Sequence, residues 1–159
     1  MFRNLFKKKG SMNEAFFWKL MESLDWDKTG DDSAVIKPVV DQLAKLSEDD
    51  IFKFSEILSQ KLYALDTLKH AQNIGEDAYV KGKHFSSDWF LYVRCCVVAN
   101  GKDFYQDCLS TPEEMPKDIE FEALLSIDDL AYKKKTGQEY TYITEYSYET
   151  FSNKQGWES

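Results

Sequence analysis

The chain has 159 residues and carries 28 Asp and Glu against 20 Lys and Arg, a net charge of −8 at neutral pH. That length suits one domain with a core of its own, and the acidic balance repels nucleic acid phosphates, which argues against DNA or RNA binding. No apolar run approaches the roughly 20 residues of a membrane-spanning helix, and the start lacks the apolar segment of a secretory signal, so a cytoplasmic location is expected.

Eleven Phe, nine Tyr and four Trp supply apolar area, while seven Gly and three Pro leave few turns. Long helices follow from that shortage of punctuation. The expected fold is all-α: a compact single-domain bundle of five to six helices, closed by a C-terminal extended strap or small hairpin. The three cysteines, Cys95, Cys96 and Cys108, are odd in number and sit in an apolar region, unlike a secreted disulfide scaffold. Neighbours on a helix point about 100° apart, so Cys95 and Cys96 cannot easily share a metal ion with His84. Neither a cofactor nor a metal is expected.

Residues 1–11 hold Arg3, Lys7, Lys8 and Lys9 and no acid; without them 16 basic residues face 28 acids, a body charge of −12. Phe2, Leu5 and Phe6 lie at helical spacing beside the lysines, the pattern of a short amphipathic foot or, being so brief, of a loose extension. A first helix is predicted over residues 13–24, with Phe17, Leu20, Met21 and Leu24 on one face. The acidic loop 25–32 alternates carboxylates as a calcium loop does, but position 36 is Ile where the bidentate Glu would stand.

The second helix is expected over 33–46, with Pro38 in its first turn if it begins at Lys37. Ser47 followed by Asp50 marks the cap of a third helix, whose stripe Ile51, Phe54, Leu58, Leu62, Leu65 and Leu68 faces the core. Asp66 interrupts that stripe. The segment 73–85, with Gly75 and Gly82, is expected to be a mobile loop holding one helical turn at 76–80. His70 and His84 lack a catalytic neighbour and are expected at the surface or in a loop.

From Ser87 to Pro112 the order is Ser-Asp-x-Phe-x-Tyr-x-Arg, an apolar run, Gly101-x-x-x-Tyr105, then Leu109-x-x-Pro112. This layout resembles a family of mostly bacterial proteins known as domain of unknown function 4240. The resemblance begins near Met12 and reaches Tyr132 and the pair Thr136-Gly137, where the family commonly closes. It also places an Asp at position 66, ahead of a small-residue stretch represented by Ala71. Two departures are Cys96, where an aromatic is common, and the longer loop before Phe85. The organisation expected is a basic extension at 1–11, a helical domain at 12–137 and a Tyr/Thr-rich tail at 138–159.

Arg94 is the lone charge on an otherwise apolar helix and needs a partner to be tolerated in a core. Asp66 is the first candidate and Asp88 the second, with Glu76 and Asp77 behind them. Such a pair would fix helix register; alternatively, Arg94 grips a carboxylate or phosphate in a polar pocket. A last helix is predicted over 119–135, capped by Asp118 and ending in three lysines. In the tail, Tyr140, Tyr142, Tyr146 and Tyr148 share one parity, a strand-like alternation.

Two functional classes follow. One is a protein-binding module, most concretely an acidic immunity-type inhibitor that blocks a basic toxin or enzyme sterically, with Trp26, Trp89, Tyr140 and Tyr142 as anchors. The other is a small-ligand binder or enzyme with a polar pocket around Asp66 and Arg94, although no pair of titratable groups marks a catalytic constellation. The expected partner is another protein, a basic one on the inhibitor reading, with no nucleic acid and no membrane span.

Overall fold

The computed structural model describes residues 11–158, so the amphipathic foot or loose extension expected of the N-terminal segment lies outside the described residues up to position 10. Within them the chain is helical: α1 (Glu14–Met21), α2 (Asp32–Ala44), α3 (Glu48–Ala64), α4 (Leu68–Ala71), α5 (Ser87–Ala99), α6 (Lys102–Ser110), α7 (Ile127–Thr136) and α8 (Lys154–Trp157), with 3-10 turns at Trp26–Lys28, Pro112–Glu114 and Glu122–Ser126. The all-α expectation holds. The count exceeds five to six because α4 and α8 are single turns of 4 residues each. No described helix is long and apolar enough to cross a membrane.

Helix starts follow local chemistry. Asn13, Asp31, Ser47, Thr67 and Ser86 each accept a hydrogen bond from the backbone N–H three residues on, which satisfies a donor that the first turn leaves free. At α3 the cap is reciprocal, because the Asp50 carboxylate also accepts from the Ser47 N–H. Asp50 accepts from the Met12 N–H as well, at 2.8 Å, and so ties the start of the domain to the head of α3.

Helix α5 is the centre. Nine of its residues, from Phe90 to Ala99, are buried, including Arg94 and both Cys95 and Cys96. A helix buried nearly all round must be covered by neighbours. The others carry one apolar stripe each: Val35, Ile36, Val39, Val40 and Leu43 on α2, and Ile51, Phe54, Leu58 and Leu62 on α3. Helix α3 packs on α5 and α7, α2 on α7, and α6 on α5. The three cysteines are free and buried; burial pushes the thiols of Cys96 and Cys108 up to about 11, so they stay protonated at neutral pH.

Four local expectations are corrected. Pro38 lies inside α2, which begins at Asp32, so the helix carries one missing N–H in mid-course. The 76–80 turn does not form; the Tyr79 N–H instead donates to the Ala71 carbonyl, and the loop closes on Asp118. Asp118 therefore caps no helix. Its carboxylate accepts from the Glu76 N–H at 2.7 Å, and α7 starts only at Ile127. His70 is not at the surface but 5% exposed, with Nδ1 2.6 Å from Thr67 Oγ1 and Nε2 3.0 Å from the Cys108 carbonyl. Since a carbonyl only accepts, Nε2 carries the proton and Nδ1 accepts from Thr67; burial holds this ring below the usual histidine range and thus neutral.

The tail forms neither hairpin nor any other strand among the described residues. Its tyrosines alternate because they dock in turn against helices α3 and α7, as the ring pairs Tyr140–Tyr132 at 5.0 Å and Tyr146–Tyr63 at 4.8 Å show.

Gly75 gives a direct test of the loop closure. Its φ is +99°, and a Cβ there would lie 2.2 Å from Asp118 Oδ1. Gly75→Ala is expected to lower stability by at least about 2 kcal/mol in urea unfolding, through strain and the lost Asp118 bond together. Gly82→Ala, at φ +84° with open space around it, is the comparison and should cost only about 1 kcal/mol.

Candidate functional site

Arg94 reaches the inner face of the tail. Its Nη1 donates to the carbonyls of Leu62 at 2.9 Å and Tyr148 at 3.0 Å, and Nη2 donates to Thr150 Oγ1 at 2.8 Å. Thr150 passes its own proton to the Ser87 carbonyl at 2.7 Å. The guanidinium carbon lies 4.7 Å from the ring centre of Phe90, one helical turn before it, a cation–π contact inside the core. Burial pulls the arginine down to about 10, with the Asp66 charge acting against that, so it remains a cation at neutral pH.

Asp66 holds the same tail a few residues further on. Its Oδ1 accepts from the Phe151 N–H at 3.1 Å and from the Trp157 indole N–H at 2.8 Å, while Oδ2 accepts from the Asn153 N–H at 3.0 Å. Three N–H donors around one carboxylate replace the water it lost on burial. The Trp157 ring then lies among Tyr79, Phe85, Phe90 and Phe151, at centroid distances of 5.6, 6.1, 6.0 and 4.5 Å. Gly156 is required beside it, because a Cβ there would come within 2.9 Å of the Asp66 carbonyl oxygen.

The expected ion pair is therefore not made. Among the described residues Arg94 forms no salt bridge with Asp66, Asp88, Glu76 or Asp77. Each charge is held separately. The Leu62 and Tyr148 carbonyls and the Thr150 hydroxyl hold Arg94, with its Nε left unpaired. Two tail amides and the Trp157 indole hold Asp66, and the two charges act on each other through the field alone. Both side chains are 0% exposed, so no pocket open to solvent has either in its wall. The polar pocket expected around them is filled by the chain itself.

An open cavity lies elsewhere. A hollow of about 310 Å³ sits where residues 140–149 cross α3 and α7, lined among others by Ser55, Ser59, Asp128, Tyr140 and Tyr148. At its floor Ser55 Oγ is 2.5 Å from Asp128 Oδ2 and 2.6 Å from Tyr140 Oη. A serine hydroxyl has one proton, so Tyr140 donates to Ser55 and Ser55 donates to the carboxylate. The other carboxylate oxygen accepts from the Asp129 N–H at 2.9 Å. Burial pushes Asp128 up to about 6 and the Asp129 charge adds to it, against the pull of the Ser55 bond. Burial likewise raises Tyr148 to about 12, and Tyr140 is raised too.

The six residues singled out in the sequence fall in separate places. Asp66 and Arg94 lie under the tail, and Tyr140 and Tyr142 line the cavity. Tyr142 stacks on Phe52 at 4.5 Å and donates to Glu56. Trp26, 39% exposed, rests on Phe121 at 5.1 Å. Trp89 is half-buried, and its indole N–H has no partner. Sequence reading missed Ser55, Asp128 and Trp157. Ser55 sat one place from the apolar stripe of α3, and nothing in its neighbourhood pointed to residues 128 or 140.

A family model described as protein of unknown function (DUF4240) matches residues 12–149. The chain belongs to that family. The match takes in the cavity and its wall, including Asp128, Tyr140 and Glu149, and ends just before the residues that occupy Asp66. No curated protein and no solved structure matched the chain.

Removing the Asp66 carboxylate strands three buried donors and leaves Arg94 without its nearest counter-charge. Asp66→Ala is expected to cost about 3–5 kcal/mol in urea unfolding, whereas Trp157→Phe, which loses one hydrogen bond and keeps an aromatic ring, should cost about 1–2 kcal/mol. Asp128 acts in the opposite sense with pH. Its folded-state carboxyl lies above the usual 3.8, at about 6. The stability it lends is present below the unfolded value and lost as pH rises through about 4 to 6, on the order of 2–3 kcal/mol. Asp128→Asn should remove that loss, and denaturation series between pH 4 and 8 measure it.

Proposed function

We propose that the chain is a protein-binding module whose partner is basic, of the kind that acts as an immunity-type inhibitor by steric blockade. The observation that supports this reading is the set of large side chains that the tail leaves part-exposed. Tyr142, Ile143, Tyr146 and Phe151 all belong to the tail and are 37%, 87%, 38% and 44% exposed. Large apolar side chains left at the surface of one segment favour a partner over solvent.

Two acids stand beside these side chains. Glu56 of α3 accepts from both the Tyr142 hydroxyl and the Glu145 N–H, and so fixes the tail on the helix. Tyr146 packs on Tyr63, two turns further along α3, at 4.8 Å. Aromatic side chains with acids next to them suit a basic partner, since charge steers the encounter and aromatic contact retains it. These side chains stand on ordered chain rather than loose coil, because Asp66 and Arg94 anchor the segment from beneath. A preorganised face loses less entropy on binding.

The test is affinity capture of the tagged chain from its native cells, followed by measurement of any stoichiometric partner. A basic partner whose binding weakens with salt, and falls by about a hundredfold with Ile143→Asp or Tyr146→Ala, supports the reading, since central aromatic and aliphatic anchors are worth about 2 kcal/mol or more each. A partner indifferent to both substitutions, or recovery of the chain alone, counts against it.

A further inference from the structure

We propose that the cavity between α3, α7 and residues 140–149 is a receptor site for one primary alkylammonium group, the side chain of a lysine on the partner. This assignment rests on the basic-partner reading and adds to it the atom that is recognised. The hollow has about 310 Å³ of room, an aliphatic patch in Leu125 and tyrosine rings at 140, 142 and 148. Those are walls suited to a hydrocarbon stem and a cation.

Charge decides what the hollow takes. Asp128, Asp129 and Glu149 line it, and no Lys, Arg or His does. None of the three acids belongs to a salt bridge among the described residues. Two other acid-bearing hollows differ on this point. One sets Asp41 beside Lys37, Lys133 and Lys134, and another sets Glu14, Glu22 and Asp103 beside Lys19 and Lys102. Lysines stand in both of those linings; in this one no cation does, and only the field of Arg94 reaches Glu149. A buried carboxylate held only by neutral donors gains from an incoming cation what it lacks from its neighbours.

The acceptors suit an ammonium. Both Asp128 oxygens are engaged once, one by Ser55 and the other by the Asp129 N–H, which leaves one lone pair on each. An ammonium needs single lone pairs from scattered directions. The remaining lone pair on Asp128 Oδ2, the Ser59 hydroxyl and the Tyr140 oxygen supply them around the lining.

Titration of the full chain with Nα-acetyl-lysine methylamide, followed by NMR, tests the assignment against three comparisons: the same compound acetylated on Nε, spermidine, and the variants Asp128→Asn and Asp129→Asn. Saturable binding of the lysine compound that shifts resonances of residues 140–149, with no binding of its Nε-acetyl form, is expected. Asp128→Asn should weaken it about tenfold, equivalent to about 1.4 kcal/mol. Should that variant fail to fold, Asp129→Asn, on an exposed side chain of the lining, should still weaken it severalfold. Affinity should rise between pH 5 and 7 as Asp128 loses its proton, the groups facing it being Ser55 and Ser59 of α3, Asp129 of α7, and Tyr140, Tyr148 and Glu149 of the tail.

Equal binding of the Nε-acetyl compound, absence of saturable binding, or indifference to both substitutions overturns the site. Tighter binding of spermidine than of the lysine compound assigns the cavity to a free polyamine and overturns the lysine. A captured basic partner whose affinity is unchanged by Asp128→Asn leaves the docking face standing and removes this cavity from it.

Discussion

Two opposite charges buried in one core, and kept apart, organise this protein. Arg94 and Asp66 have no exposed surface, yet each is bonded to the tail rather than to the other. A direct bridge would have left the remaining N–H groups of the guanidinium and the remaining lone pairs of the carboxylate to be satisfied by other means. The Tyr148 carbonyl and Thr150 hydroxyl take up part of the guanidinium, whose Nε stays unpaired, and the amides of Phe151 and Asn153 take up the carboxylate. The core is therefore incomplete without the tail, and the tail has no regular hydrogen-bond ladder of its own to hold it. Each stabilises the other, and the exposed face of the segment inherits its order from the charges beneath it.

That arrangement explains why the acidic, aromatic surface and the open cavity share one neighbourhood. Residues 140–149 bridge α3 and α7 before the chain reaches its anchor points, and the span leaves a gap where Ser55 and Asp128 face Tyr140. A gap lined by a half-satisfied carboxylate is costly to a fold that serves stability alone. Burial holds Asp128 up at about 6 there. The acid sits in the first turn of α7, where the helix dipole offsets part of that cost.

The parts of the fold legible in the sequence are those governed by neighbours within a turn or two. The capping box at Ser47 and Asp50 and the stripe from Ile51 to Leu62 stand as the spacing predicts. So does the nearly all-apolar helix around Arg94 that ends before Gly101. Elements whose ends are set by distant contacts were misplaced. Asp118 looks like a helix cap, but a bond to Glu76 across the loop claims it, and α7 begins nine residues later. His70 looks like a surface residue because, beyond its local cap Thr67, its partner is the Cys108 carbonyl, which meets it only once α6 has folded back. The alternating tyrosines suggest a strand, yet alternation signals two faces and not a ladder; here the inward face docks on helices.

By itself the sequence determined that the chain is all-helical and singled out Arg94 and Asp66 as charges of the core, but the direct pairing it pointed to is not made. Periodicity, caps and the isolation of one cation are local properties, and a linear text carries them. Tertiary structure alone decided who answers Arg94, where the open cavity lies, and that Ser55, Asp128 and Tyr140 form one chain of hydrogen bonds across separations of 73 and 85 residues. A hydrogen bond is fixed by position to within a few tenths of an ångström. Position over such separations is set by how every intervening helix packs.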